Sequence, residues 1–214
     1  MLYFLIGSYL LGSISSAIII CKICNLPDPR TKGSGNPGAT NVLRIGGKKL
    51  AAFVLIFDGL KGAIPVMLAH YFGLNLFELT IILLSAFLGH VFPIYYGFKG
   101  GKGVATYLGG LIGLNFFVGL TFSIIWLIVA KVMKVSSIAA LTATLLSPIY
   151  FYFITRYENL ISSWSSYDMF NGSSDQVLQD TFLNILINWH LNDPVSQKEI
   201  DRNNYIYYNI QDNR

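Results

Sequence analysis

LAAFVLIFDGLKGAIPVMLAHYF, residues Leu50–Phe72, is an apolar run with an acid and a base, Asp58 and Lys61, in its middle. About 20 consecutive apolar residues are what a transmembrane helix needs. Charged groups at that depth are costly, so they face a bundle interior, pair or act. Three residues apart, Asp58 and Lys61 meet on one helical face. The stretch therefore reads as one member of a membrane bundle, with either a bracing ion pair or a functional group inside it. Directly before it stands KGSGNPGATNVLRIGGKK, Lys32–Lys49, which is polar, glycine-rich and basic.

Working outward, further runs of spanning length lie at Tyr3–Cys24, Glu78–Tyr96, Leu114–Met133 and Ser136–Ile154. Two shorter candidates are Gly103–Gly113, rich in glycine, and Leu178–Trp189, interrupted by Asn184 and Asn188. If both cross, there are seven spans. Composition agrees: of 214 residues 53% are hydrophobic and 12% charged, with mean hydropathy +0.53, against roughly 25% charged in a soluble domain. The expected fold class is an all-α, polytopic transmembrane helical bundle. The first run has no positive residue before it and no small-residue cleavage site after it, so it reads as a retained span. Cys21 and Cys24 form a lone C-x-x-C without a second pair for zinc, and read as buried apolar thiols.

The first loop carries Lys22, Arg30, Lys32, Arg44, Lys48 and Lys49 against Asp28, whereas the connection at Gly73–Phe77 is uncharged. The positive-inside rule puts that loop in the cytoplasm and the N-terminus outside. Alternation returns Lys99 and Lys102 to the cytoplasm, and does the same for Lys131 and Lys134 only if Gly103–Gly113 crosses or re-enters. The net charge of +4 follows from such loops. Nucleic acid is excluded as a partner because no basic stripe interleaved with aromatics is present. Residues 1–155 read as a membrane-embedded core. Residues 156–214 read as a C-terminal loop, a short last helix and a polar tail, with SSWSSYDMFNGSSD and DPVSQKEIDRNNYIYYNIQDNR as its polar stretches.

GSGNPGATN concentrates residues that favour turns and exposed amides, and such a loop can wrap backbone donors round an anion. Arg44, Lys48 and Lys49 follow at once and can grip phosphate. The second loop, GHVFPIYYGFKGGKGVAT (Gly89–Thr106), repeats this chemistry. It lacks P-loop spacing and a preceding strand, yet a helix start after glycines favours an anion. His90 is either a structural donor or a substrate contact. No Ser-His-Asp arrangement, zinc motif or carboxylate pair is evident, and no cofactor or metal is implied.

Together SGNPGATNVLR (Ser34–Arg44), FDGLKG (Phe57–Gly62) and the second loop resemble the bacterial membrane glycerol-3-phosphate acyltransferases that use acyl phosphate, the PlsY family, in the family's order and spacing over about residues 1–150. The resemblance implies acyl transfer from acyl phosphate to the 1-hydroxyl of glycerol 3-phosphate, giving lysophosphatidic acid and phosphate in phospholipid synthesis. It also implies a seven-span bundle in the bacterial inner membrane, among membrane lipids, with its site facing the cytoplasm. By match to the motifs, Ser34, Arg44, Lys102 and His90 would be catalytic. Asn36, Gly38, Thr40, Asn41, Gly100, Gly101 and Gly103 would bind substrate. The family's third motif, a basic His-containing stretch running into Asn-Ile and then Leu, Gly and Glu, is replaced here by LNILINWHLNDPVSQKEID. That stretch keeps His190 and Asn192 but lacks the Arg-Leu and Gly-x-Glu elements, so no tail residue is assigned. Two other readings of the same loops are an organic-anion or phosphate carrier and a catalytically silent family member.

Overall fold

The structure is a computed structural model in which residues 1–163 are described, with side chains to residue 156. The described residues form helices only: α1 (Leu2–Gly12), α2 (Ser16–Ile23), α3 (Ala39–Tyr71), α4 (Leu76–Val91), a 3-10 turn (Ile94–Tyr96), α5 (Val104–Leu114), α6 (Phe116–Met133) and α7 (Ser136–Ser163). Four of these stretches are long and apolar enough to cross a membrane, or five if α1 and α2 count as one bent span. The proposed span at Leu178–Trp189 and the polar tail lie outside the described residues. α7 runs past the sequence-based boundary at residue 155, to Ser163.

Two further boundaries differ from the sequence reading. The expected single span Tyr3–Cys24 is two helices bent by 40°. The break falls at Ser13–Ser15, where the Ser15 side chain accepts from the Ile18 amide and starts a new helix. α3 begins not at Leu50 but at Ala39, so Thr40, Asn41 and Arg44 are helical and not loop residues. Gly47, at φ 84°, separates this short leading segment from the membrane-depth part, a conformation that glycine adopts without steric cost. α5 has 11 residues, or about 16 Å, roughly half the hydrocarbon thickness. Of the two thiols read as buried, Cys24 is exposed, because α2 ends one residue before it; Cys21 is buried.

Small residues set the packing. A Cβ at Gly62 would collide with the Thr106 carbonyl, and one at Gly109 with the Gly59 carbonyl. α3 and α5 thus lie backbone against backbone, with Gly113 reaching Val66 one turn further on. Close approach through glycine is how membrane helices gain dispersion contacts, since lipid supplies no hydrophobic drive between them. The register shows that α5 runs parallel to α3 and begins level with its middle. The loop before α5 therefore reaches into the bundle at its last residues, where Gly101 and Gly103 are buried. α1 packs likewise on α4 through Gly12 against Ala86 and Gly89 against Tyr9.

One end of the bundle holds Met1, the Gly73 turn and the Asn115 turn, with Phe4 and Phe72 in ring contact at 5.8 Å. The other end holds both glycine loops and the Lys134 turn, since Lys102 Nζ donates to Ser137 Oγ at 2.6 Å. Lys131 and Lys134 thus sit at the end where charge alternation puts them. The core between is apolar, with Tyr107 edge-on to Phe122 at 5.5 Å and to Phe87 at 6.5 Å.

Candidate active site

Asn41 organises the first loop. Its Oδ1 accepts from the Ser34 amide at 2.9 Å, and its Nδ2 donates to the Pro29 carbonyl at 2.7 Å and the Lys32 carbonyl at 2.9 Å. Gly33, at φ 65°, lies against Oδ1 so closely that a Cβ would collide with it. Asn41 is fully buried, and three of its four hydrogen-bonding positions are taken within the protein. It was expected to line the anion site; the structure makes it the internal template of the loop, with Ser34 held by its amide. Asn41→Ala should leave those three backbone groups unpaired and cost about 1–3 kcal/mol. Faster amide exchange confined to residues 29–34 would confirm the role, and an unchanged exchange pattern would refute it.

Ser34, Asn36 and Gly38 are half-buried and Thr40 is exposed. Arg30 donates to both Asp28 carboxylate oxygens and lies 5.9 Å over the Tyr96 ring, which ties the first loop to the 3-10 turn. That hydrogen-bonded pair holds the Asp28 carboxyl below the ordinary carboxylate range.

The second loop is folded onto the end of α4. Gly100 donates to the Val91 carbonyl at 3.2 Å and Gly101 to the His90 carbonyl at 3.1 Å. A Cβ on Gly101 would strike the His90 ring on one side and come within 3.1 Å of the Pro37 carbonyl on the other. Gly101 is therefore where the two loops touch. Gly103, at φ 75°, caps α5 and lies on the Phe87 ring. His90 is buried, with Nδ1 3.2 Å from Thr106 Oγ1 and 3.7 Å from Asp58 Oδ1. Lys102 reaches back to Ser137 at the start of α7, while Arg44 is exposed on the leading segment of α3.

Helix starts differ in how they are capped, and α1 starts from Met1 without a side-chain cap. At the Met1 end, Asn75 and Glu78 form a capping box on α4, and Asn115 accepts from the Phe117 and Val118 amides of α6. At the loop end, α3 and α5 both start from a glycine, Gly38 and Gly103, without a side-chain cap. The first amides of a helix need a partner, and the positive end of its dipole favours an anion. Two such starts meet across Pro37 and Gly101, flanked by Arg44 and Lys102. The geometry suits paired phosphate groups.

The structure brings Ser34, Gly38, His90, Gly100, Gly101, Lys102 and Gly103 into one region through this contact. Sequence reasoning missed Pro37 as the bridge and Ser137 as the partner of Lys102. It also missed the meeting of His90, Thr106 and Asp58, since their spacing along the chain signals nothing. The i,i+3 pairing of Asp58 with Lys61 was legible and is present at 2.9 Å.

The sequence profile of the family described as Glycerol-3-phosphate acyltransferase matches residues 2–190. The chain is 62% identical over 160 residues to a glycerol-3-phosphate acyltransferase of Ruthia magnifica subsp. Calyptogena magnifica, covering 75% of this chain and 80% of that protein. It is 54% identical over 150 residues to one of Thioalkalivibrio sulfidiphilus, covering 70% and 74%. The fold is similar to that in a crystal structure of PlsY (YgiH), an integral membrane glycerol 3-phosphate acyltransferase in its glycerol 3-phosphate form. That likeness has a TM-score of 0.73 and 34% identity, over 94% of this chain and 90% of the other. The lysophosphatidic acid form is similar at a TM-score of 0.72 and 33% identity, over 94% and 92%. The helical bundle, its paired glycine loops and a match over most of the length agree: the chain belongs to the PlsY family of glycerol-3-phosphate acyltransferases.

Proposed function

We propose that the protein transfers a fatty acyl group from acyl phosphate to the 1-hydroxyl of glycerol 3-phosphate, at the cytoplasmic face of a bacterial inner membrane. In this reading seven spans cross the bilayer and the N-terminus is outside. The observation that carries it is the meeting of two uncapped, glycine-started helices across Pro37 and Gly101, beside Arg44 and Lys102. Both substrates bring a phosphate, and the donor's acyl chain is soluble in the adjoining bilayer.

The glycerol hydroxyl oxygen attacks the acyl carbon, the bond from that carbon to the phosphate oxygen breaks, and inorganic phosphate leaves with the electron pair. The hydroxyl proton passes to a phosphate oxygen. A mixed anhydride has a good leaving group, so the protein needs chiefly to hold two anions together, stabilise the developing charge and exclude water. Arg44 and Lys102 supply the fixed charge, and Ser34 and the Gly100–Gly103 backbone supply donors. Asn36, Gly38 and Thr40 border the acceptor, Asn41 shapes that border from inside, and His90 backs the Gly101 turn.

Purified protein given acyl phosphate and glycerol 3-phosphate is expected to release phosphate and form lysophosphatidic acid in equal amounts. A folded sample without turnover would leave the silent-member reading standing. The bent α1–α2 pair and the charges inside the bundle are features that carriers share. Flux of glycerol 3-phosphate across proteoliposomes without product would favour that class.

A further inference from the structure

Asp58 and Lys61 are almost fully buried, and their pairing alone does not account for them. Replacing a buried ion pair by apolar side chains of similar volume is often neutral or stabilising, so bracing the bundle is a weak reason to keep two charges there. What distinguishes this pair is its other partners. Lys61 Nζ donates to the Ile14 carbonyl at 2.8 Å, in the non-helical break between α1 and α2. Asp58 Oδ1 accepts from Ser16 Oγ at 2.8 Å, at the first residue of α2, and lies 3.7 Å from His90 Nδ1. His90 Nδ1 is also within 3.2 Å of Thr106 Oγ1, in the first turn of α5. The far side of the His90 ring presses on Gly101, and its carbonyl takes the Gly101 amide. The same break is tied to the 3-10 turn, where the Ile94 amide donates to Ser13 Oγ at 3.4 Å.

From this geometry we infer that Asp58 and Lys61 are positioning residues for the acyl transfer: through His90 and Thr106 they fix the height of the Gly100–Gly103 turn in the bundle. The pair holds the α1–α2 break, the middle of α3, the end of α4 and the start of α5 at one level, directly beneath the turn. Charges in a low-dielectric interior are strongly directional when hydrogen-bonded, so a polar junction pins helices against sliding where glycine contacts leave them smooth. Misplacement of a reacting group by about 1 Å costs on the order of 100-fold in rate.

The inference rests on the acyltransferase reading, and its test separates the two. The Asp58→Leu/Lys61→Met double variant, purified in lipid, is expected to melt at or above the parent temperature. Its kcat should fall by about 100-fold with KM for glycerol 3-phosphate within about threefold. A folded double variant with parental kcat, or one changed in KM alone, overturns the inference. If the double variant does not fold, Thr106→Val decides. With an unchanged melting temperature it should lose most of kcat, and Thr106→Ser should restore it; full turnover of Thr106→Val overturns the inference. If the parent itself shows no turnover, the functional reading has failed, and amide exchange decides. Exchange that accelerates selectively at Gly100–Gly103 in either variant supports the inference, and an unchanged rate there overturns it.

Discussion

Lys102→Ala is expected to lower kcat/KM by roughly 30- to 5,000-fold. That range corresponds to about 2–5 kcal/mol, the cost of removing one member of a desolvated charge pair. Lys102 lies between Gly101 and Gly103, and its ammonium is already turned toward α7 by Ser137 at 2.6 Å. A phosphate bound at the two helix starts would lose its nearest fixed cation from that side. Ser137→Ala separates this effect from packing, since it removes the hydroxyl partner and leaves the charge; it should cost less than about tenfold if the charge is what matters. Lys102→Arg should not rescue, because the planar fork needs room that a turn pressed between the His90 ring and Pro37 does not offer. Arg44 is exposed in this structure, so Arg44→Ala should fall at the lower end of the range. Steady-state kinetics on the four variants tests the assignment, and parental kcat/KM in both Lys102→Ala and Arg44→Ala would remove it.

Gly62→Val is expected to dismantle the α3–α5 contact. Its Cβ would meet the Thr106 carbonyl and press on the Gly110 amide, both backbone atoms that no rotamer change can move aside. Overpacking costs typically about 1–3 kcal/mol and occasionally more, and immovable backbone neighbours put Gly62→Val at the upper end. Because α5 carries the second loop, separation would also lift Gly101 from Pro37. Loss of the melting transition, or a large fall in its midpoint, is the expected readout. Gly7→Ala is the control. No heavy atom outside its own helix lies within 4 Å of a Cβ there, and replacing a mid-helix glycine is neutral or stabilising by about 0.5–1 kcal/mol. Equal effects at both positions would contradict the close-packing account.

Four of the apolar stretches were legible because their length alone selects a bilayer span. The break in the first was not: LGSISS lies inside an apolar run, and averaging over the run conceals three serines, of which Ser15 starts the new helix by accepting from the Ile18 amide. The start of α3 was misplaced because ATNVLRIGG is polar and glycine-rich, yet Gly38 and Gly47 bound a short helical turn there. The two loops were found by their glycine and lysine content, and charge alternation assigned them to one end, where the structure also has them. What sequence spacing could not give was direction. Asn41 looks like a ligand contact in a list of polar residues, and only its three inward hydrogen bonds make it a scaffold. His90 meets Asp58 and Thr106 because α3, α4 and α5 converge, and no single-helix periodicity encodes that meeting.

The parallel packing of α5 along α3 bears on how the chain enters the membrane as it is made. A helix of 11 residues is too short to partition stably as an independent span, and its glycine face has nothing to gain from lipid. α6 is 18 residues long and follows after Asn115 alone. α5 and α6 form a hairpin in which Gly119 lies against Ile112. Because α3 precedes α5 in the chain, the glycine face that α5 fits is synthesised before α5 itself.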